Sequence, residues 1–143
     1  MLIEVRVKVA RVIDGKTRKR TETYVVDRDV FADAEYQVMA ALSHEQEQGI
    51  VEDFEIQSLK ISQIKEVAPQ FDGSYSYIMT LKDIWVDDDG TEKQLKYKVL
   101  LWADDTTQAN NHALQLARQG YDMQIAGIKQ VDYEYLIPTD DGE

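Results

Sequence analysis

The sequence predicts an α+β fold built from two copies of a ββαβ unit, an antiparallel sheet with two helices packed on it. Three observations carry that prediction. Asp14-Gly15 and Asp89-Gly90 are hairpin signals, because both residue types tolerate the positive φ of a tight turn. After each turn the chain repeats itself at an offset of 75: Tyr24-Val25-Val26 returns as Val99-Leu100-Leu101, and the helical face Ala34, Val38, Ala41, Leu42 returns as Ala109, Ala113, Leu116, Ala117. The closing strands then align at an offset of 69, Ile56-Gln57-Ser58-Leu59-Lys60 against Ile125-Ala126-Gly127-Ile128-Lys129, so the first copy carries six extra residues between helix and strand.

Each element follows from local chemistry. Residues 2–12 alternate, with Ile3, Val5, Val7 and Val9 on one face and Glu4, Arg6 and Lys8 on the other, the period of a half-buried strand. Residues 20–27 return from the turn, rich in β-branched and aromatic types. Asp29 or Asp33 is placed to cap the following helix, which the sequence ends near Gly49 with a fraying polar stretch, Ser43–Gln48. A strand from about 53 to 61 completes the first unit, and Ala68–Ser74, with Pro69 and Gly73, reads as the connector. In the second copy Tyr75, Tyr77, Met79 and Leu81 alternate, and Leu95, Tyr97, Val99 and Leu101 return. Asp105 and Gln108 have capping-box spacing, Gly120 stops the second helix, and a last strand runs from about Met123 to Ile137. Pro138–Glu143 is a short acidic tail expected to be disordered.

At 143 residues with 43% hydrophobic composition, the chain is expected to be one domain made of two repeats, about 1–68 and 75–138, sharing a core and unfolding as one piece. The absence of cysteine removes thiol catalysis, disulfides and thiolate zinc sites. No signal-like apolar stretch follows Met1 and no window approaches a membrane span, so the expectation is a soluble cytoplasmic protein with no membrane partner. The net charge of −11 is uneven. Residues 1–30 hold eight bases against five acids, a balance of +3, which leaves −14 for the remainder. An acidic body disfavours nonspecific binding to nucleic acid, but a local basic hairpin can still reach an anionic partner.

The halves together resemble the domain-of-unknown-function family numbered 4494, of Bacteroides-type bacteria and their phages. The likeness rests on Val5-Arg6-Val7-Lys8, on Thr21-Glu22-Thr23-Tyr24-Val25-Val26-Asp27, on Phe31-Ala32-Asp33-Ala34-Glu35 and on Tyr121-Asp122-Met123-Gln124-Ile125-Ala126-Gly127-Ile128. It implies a cytoplasmic setting in a bacterium or a phage-infected host, and it supplies no catalytic residues.

Chemistry-bearing motifs are sparse. His44-Glu45 begins the zinc-protease pattern, but Gln48 stands where the second histidine belongs, and His112 lies beside the apolar face of the second helix. Asp87-Asp88-Asp89-Gly90 resembles part of a calcium loop in the wrong register: with Gly90 sixth, Trp85 would be first and Lys96 twelfth. It reads as a hairpin turn. The seven glycines form no phosphate-binding loop and there is no nucleophile elbow. No catalytic, metal or cofactor residue is therefore assigned.

Two sets of contact residues remain. Lys16, Arg18, Lys19 and Arg20, with Arg6, Lys8 and Arg11 on the neighbouring strand, form a candidate surface for an anionic partner, although charged hairpins also serve to keep sheet edges from pairing. Tyr75, Tyr77, Trp85, Tyr97 and Trp102 are candidate interface aromatics, with core packing as their ordinary alternative. Tyr133 and Tyr135 belong to the same concentration of rings, but their neighbours Asp132 and Glu134 oppose use as a base-stacking surface. The leading expectation is a non-enzymatic protein-interaction module with an unidentified protein partner, self-associating into a homo-oligomer. The alternatives are a single-stranded nucleic-acid binder using the basic hairpin, and an acidic nucleic-acid mimic that occupies a host protein.

Overall fold

The computed structural model describes residues 1–118 and 124–137. Its elements run β1 (Leu2–Ile13), β2 (Lys16–Asp27), α1 (Phe31–Glu47), β3 (Val51–Ile61), β4 (Ile64–Val67), β5 (Tyr75–Val86), β6 (Glu92–Ala103), α2 (Thr106–Arg118), β7 (Gln124–Val131) and β8 (Tyr133–Leu136). Two four-stranded sheets result, ordered β3-β1-β2-β8 and β4-β6-β5-β7. The chain divides accordingly into two compact units: residues 1–62 with the stretch beginning at Tyr133, and residues 63–132. The fold is α+β, and the second half repeats the element order of the first.

The duplication reaches single residues. In the first unit Val5 stands opposite Tyr24; in the second Met79 stands opposite Val99. The ladder between β3 and β1 slips between Arg6 and Val7, leaving Gln57 unopposed. That between β7 and β5 slips between Thr80 and Leu81, leaving Ala126 unopposed. Gln57 and Ala126 are separated by the same 69 residues that relate the closing strands, so the bulge was copied with the strand.

The fourth strands are exchanged. β4 follows β3 after two residues yet pairs in parallel with β6, and β8 follows β7 after Asp132 alone yet pairs in parallel with β2. Each repeat thus supplies the short edge strand of the other repeat's sheet. The sequence expectation of one continuous last strand over 123–137 is corrected here: the chain breaks at Asp132 and its two parts join different sheets. Alternation continues on both sides of the break, so periodicity could not show it.

Each unit has its own hydrophobic cluster. In the first, Ile3, Val5, Val7 and Val9 from β1, Tyr24 and Val26 from β2, and Ala34, Val38 and Leu42 from α1 are buried, with Phe54, Ile56, Leu59 and Leu136 packed against them. In the second, Tyr77, Met79 and Leu81 meet Val99, Leu101 and Ala103 beneath Ala109, Ala113 and Leu116. Of the helical face inferred at Ala34, Val38, Ala41 and Leu42 and its copy at Ala109, Ala113, Leu116 and Ala117, all are buried except Ala41 and Ala117, which are half-buried.

Local differences have local causes. The basic run is strand from Lys16 rather than from residue 20, because Asp14 (φ 53°) and Gly15 (φ 76°) close a two-residue turn and every following residue pairs with β1. Neither Asp29 nor Asp33 caps α1; Val30 holds the N-cap position without a side-chain hydrogen bond, and Asp33 lies in the first turn, where it opposes the macrodipole. The polar end of α1 stays helical to Glu47. Helix α2 has the expected box: Asp105 Oδ1 accepts the Gln108 N–H at 2.8 Å, while Gln108 Oε1 accepts the N–H of Asp104, one residue earlier than the standard pattern. Gly73 lets the connector run against the backbone of Ala103, where any Cβ would fall 2.2 Å from its Cα. Gly120 and the acidic tail lie outside the described residues. No helix among the described residues is long and apolar enough to cross a membrane.

Candidate functional site

The basic hairpin is braced from below by a buried ionic cluster. Arg11 of β1 turns inward and donates from Nε and Nη2 to the two carboxylate oxygens of Glu22 on β2, and from Nη1 to Glu45 near the end of α1. The Tyr24 hydroxyl donates to Glu22 at 2.6 Å and accepts from Arg11 at 3.2 Å, and Arg20 Nε donates to Glu22 at 2.6 Å. Burial alone would push the Glu22 carboxyl up, but the hydrogen bonds from Arg11, Tyr24 and Arg20 prevail and hold it down at about 2. Burial and the bond to Glu22 push the Tyr24 hydroxyl up. The bond to Glu22 raises Arg11 above its ordinary value against the opposing effect of burial. The cluster thus ties β1, β2 and α1 together.

The seven candidate cations therefore divide. Arg11 is a brace, and Arg20 is half tied to Glu22. Lys16, Arg18 and Lys19 are exposed at the distal end of β2, and Arg6 and Lys8 are exposed on β1. None of these five has an ion-pair partner among the described residues. They lie on two faces. Lys16 and Arg18 stand opposite Ile13 and Arg11 on the α1 side, whereas Arg6, Lys8 and Lys19 point away from α1.

The outer edge of this hairpin is only partly covered. β8 pairs with β2 over Thr23–Val26 and no further, so among the described residues Lys16–Glu22 have β1 on one side and no strand on the other. Their outward N–H and C=O groups form a seven-residue open edge studded with cations.

β8 also changes the sense of two tyrosines. Tyr133 stands beside Thr23 and Tyr135 beside Val25, on the face that carries Arg6, while Glu134 falls beside Tyr24 and turns the other way. The acidic neighbour that argued against these rings thus does not share their face. Tyr133 lines a depression of about 260 Å³ with Glu4, Arg6, Thr23, Ser58 and Lys60. Burial, the nearby Glu4 carboxylate and a hydrogen bond to it push the Tyr133 hydroxyl up, with Arg6 opposing. Sequence reasoning missed this grouping because a parallel pairing with a strand from the far end of the chain has no local signature.

The aromatics of the second unit do not converge. Tyr77 and Tyr97 face its core. Trp102 is half-buried, and its carbonyl accepts the His112 Nδ1 proton at 3.0 Å. Tyr75 and Trp85 are exposed, but they sit ten residues apart on β5, about 33 Å along the strand. Around Trp85 the sequence reading overlooked exposed Ile84, Val86 and Leu95.

The remaining motifs are occupied structurally. Asp87 Oδ1 accepts the N–H groups of Asp89 and Thr91, both at 3.0 Å, so the acidic turn uses its leading carboxylate to close itself. His44 Nε2 lies 3.3 Å from Nε2 of Gln48, the C-cap residue of α1, and His112 stacks on Phe71 with centroids 4.4 Å apart. Among the described residues no three His, Asp or Glu side chains are grouped to hold a metal.

No curated protein and no solved structure matches the chain. The family described as Domain of unknown function (DUF4494) matches residues 1–139, nearly the whole chain, and the protein belongs to that family.

Proposed function

We propose that the chain is a non-enzymatic protein-interaction module that takes up an acidic, extended segment of a partner along the open edge of β2. The observation that supports this most is the stretch Lys16–Glu22, which among the described residues lacks an outer strand neighbour, while Lys16, Arg18 and Lys19 lack carboxylate partners there. An added strand gains main-chain hydrogen bonds, and alternating acids on it meet the cations. The same cations repel a second basic edge, so the slot discriminates by charge. The Arg11–Glu22–Glu45 cluster ties β1, β2 and α1 together without the partner, which lowers the ordering cost of binding. A cytoplasmic setting in a bacterium or phage-infected host belongs to the same reading.

The test is fluorescence anisotropy with a short labelled peptide of alternating glutamate and valine, beside its glutamine–valine counterpart. Affinity for the acidic peptide only, weakened by salt and lost in Arg18→Glu with Lys19→Glu, is the expected result. Equal affinity for both peptides, or none, would overturn it.

A second reading, a contact for single-stranded nucleic acid, draws on the placement of Arg6 and Lys8 on one face with Tyr133 and Tyr135. It predicts binding of a labelled single-stranded oligonucleotide that falls steeply with salt and is lost in Arg6→Glu. The net charge of −11 weighs against it.

A further inference from the structure

We infer that the chain forms a two-fold dimer by antiparallel pairing of β3 with β3 of a second copy, joining the two first-unit sheets into one. Among the described residues β3 is the edge strand of its sheet, with β1 on one side only. Its charges are arranged to complement themselves. Glu52, Asp53 and Glu55 occupy its first half and Lys60 its second, all exposed, so a second β3 running the opposite way sets acids against lysine twice.

Side-chain direction fixes the register. Asp53, Glu55, Ser58 and Lys60 pair with Ala10, Lys8, Arg6 and Glu4 and share the face away from α1, while Phe54 and Leu59 pack toward the core. Residues opposite one another in an antiparallel pair share a face. The register that satisfies this on both sides of the bulge puts Asp53 opposite Lys60, Phe54 opposite Leu59 and Glu55 opposite Ser58. The two-fold axis then passes between Ile56 and the bulged Gln57. Neither Asp53 nor Lys60 has an ion-pair partner among the described residues.

An apolar rim runs beside this edge. Gln46 Nε2 donates to the Glu52 carbonyl on β3, while Gln37 Nε2 donates to the Ile137 carbonyl just past β8, which identifies the β3 side of α1. Phe31 and Met39 share the Gln46 side, at helical spacing, and are 45% and 40% exposed; Ile61 at the end of β3 is 57% exposed. A second copy would cover these side chains, which otherwise face water. The corresponding edge of the second unit lacks such complementarity: β7 carries one charge, Lys129, and no acid.

The test is the mass of the full chain by light scattering and sedimentation equilibrium across micromolar concentrations. The wild type is expected to dimerise. Lys60→Glu or Asp53→Lys alone should weaken the dimer about tenfold or more by setting like charges opposite, and the double swap should restore it. Because the chain has no cysteine, Gln57→Cys offers an independent reading: it should oxidise to a disulfide-linked dimer, and Gln130→Cys on β7 should not. A monomer throughout, a dimer indifferent to both single reversals, a double swap that restores nothing, or cross-linking at residue 130 in place of residue 57 would each overturn the proposal.

Discussion

Leu136 stands beside Val26 in parallel register and packs on the core of the first unit, although 110 residues separate the two in the chain. The first sheet is therefore completed from the end of the second repeat. Leu136→Ala should destabilise the first unit by about 1–2 kcal/mol, below the cost of a fully buried leucine because the side chain is only half-buried. Hydrogen exchange checks it: amides of β2 should exchange faster. Unchanged β2 amides would show that β8 adds nothing to that sheet.

The Glu22 carboxyl carries a pH prediction. Its folded value, about 2, lies below the ordinary 4.5, so the unfolded chain binds a proton more readily than the folded one between those limits. Its contribution is fully present above about pH 4.5 and fades as pH falls toward 2, to a total of about 3 kcal/mol. Denaturant titrations of wild type and Glu22→Gln at stepped pH should therefore differ by a constant amount above about pH 5 and draw together steadily as pH falls toward 2. A difference that stays flat to pH 2 would refute the depressed value.

Removing only the cationic half of the same cluster is a harsher change. Arg11→Met strands the Glu22 carboxylate in a buried site with Arg20 as its remaining cation, which should cost about 3–5 kcal/mol. Arg11→Met combined with Glu22→Gln should recover part of that loss, since no uncompensated charge remains. Strict additivity of the two single changes would mean that the residues do not act as a pair.

Gly73 should tolerate no side chain. A Cβ there meets the Ala103 backbone at 2.2 Å, and backbone in a central ladder cannot step aside cheaply. Gly73→Ala should lower the stability of the second unit by about 2–3 kcal/mol. Both tryptophans, Trp85 and Trp102, lie in that unit, so tryptophan fluorescence during denaturation reports it directly.

Much of the fold was legible because duplication doubles every local signal. Asp-Gly turns, the 34/38/42 face and the closing strands each confirmed a partner elsewhere in the chain. Strand exchange was not legible: Asp132 separates two stretches that both alternate, and the pairing of Tyr133 with Thr23 is decided by tertiary packing. The α1 cap misled for a related reason, since Asp29 and Asp33 both fit the local rule and Val30 took the position without their help. At the hairpin, composition located the cations, but only the carboxylates of Glu22 and Glu45, brought to Arg11 by β2 and α1, separate it from Lys16, Arg18 and Lys19, which remain open. The aromatics show the same limit, because Tyr75 and Tyr77 share one face of β5, yet Tyr77 is buried in the core while Tyr75, at the first residue of the strand, is exposed.

The measurement that bears most directly on the proposed role is residue-resolved amide exchange of the chain with and without the acidic glutamate–valine peptide. Strand addition at the open edge predicts new protection at outward-facing amides within Lys16–Glu22 and little change at Thr23–Val26, which β8 already covers. Binding that leaves Lys16–Glu22 unprotected, or that protects another part of the chain, would contradict it.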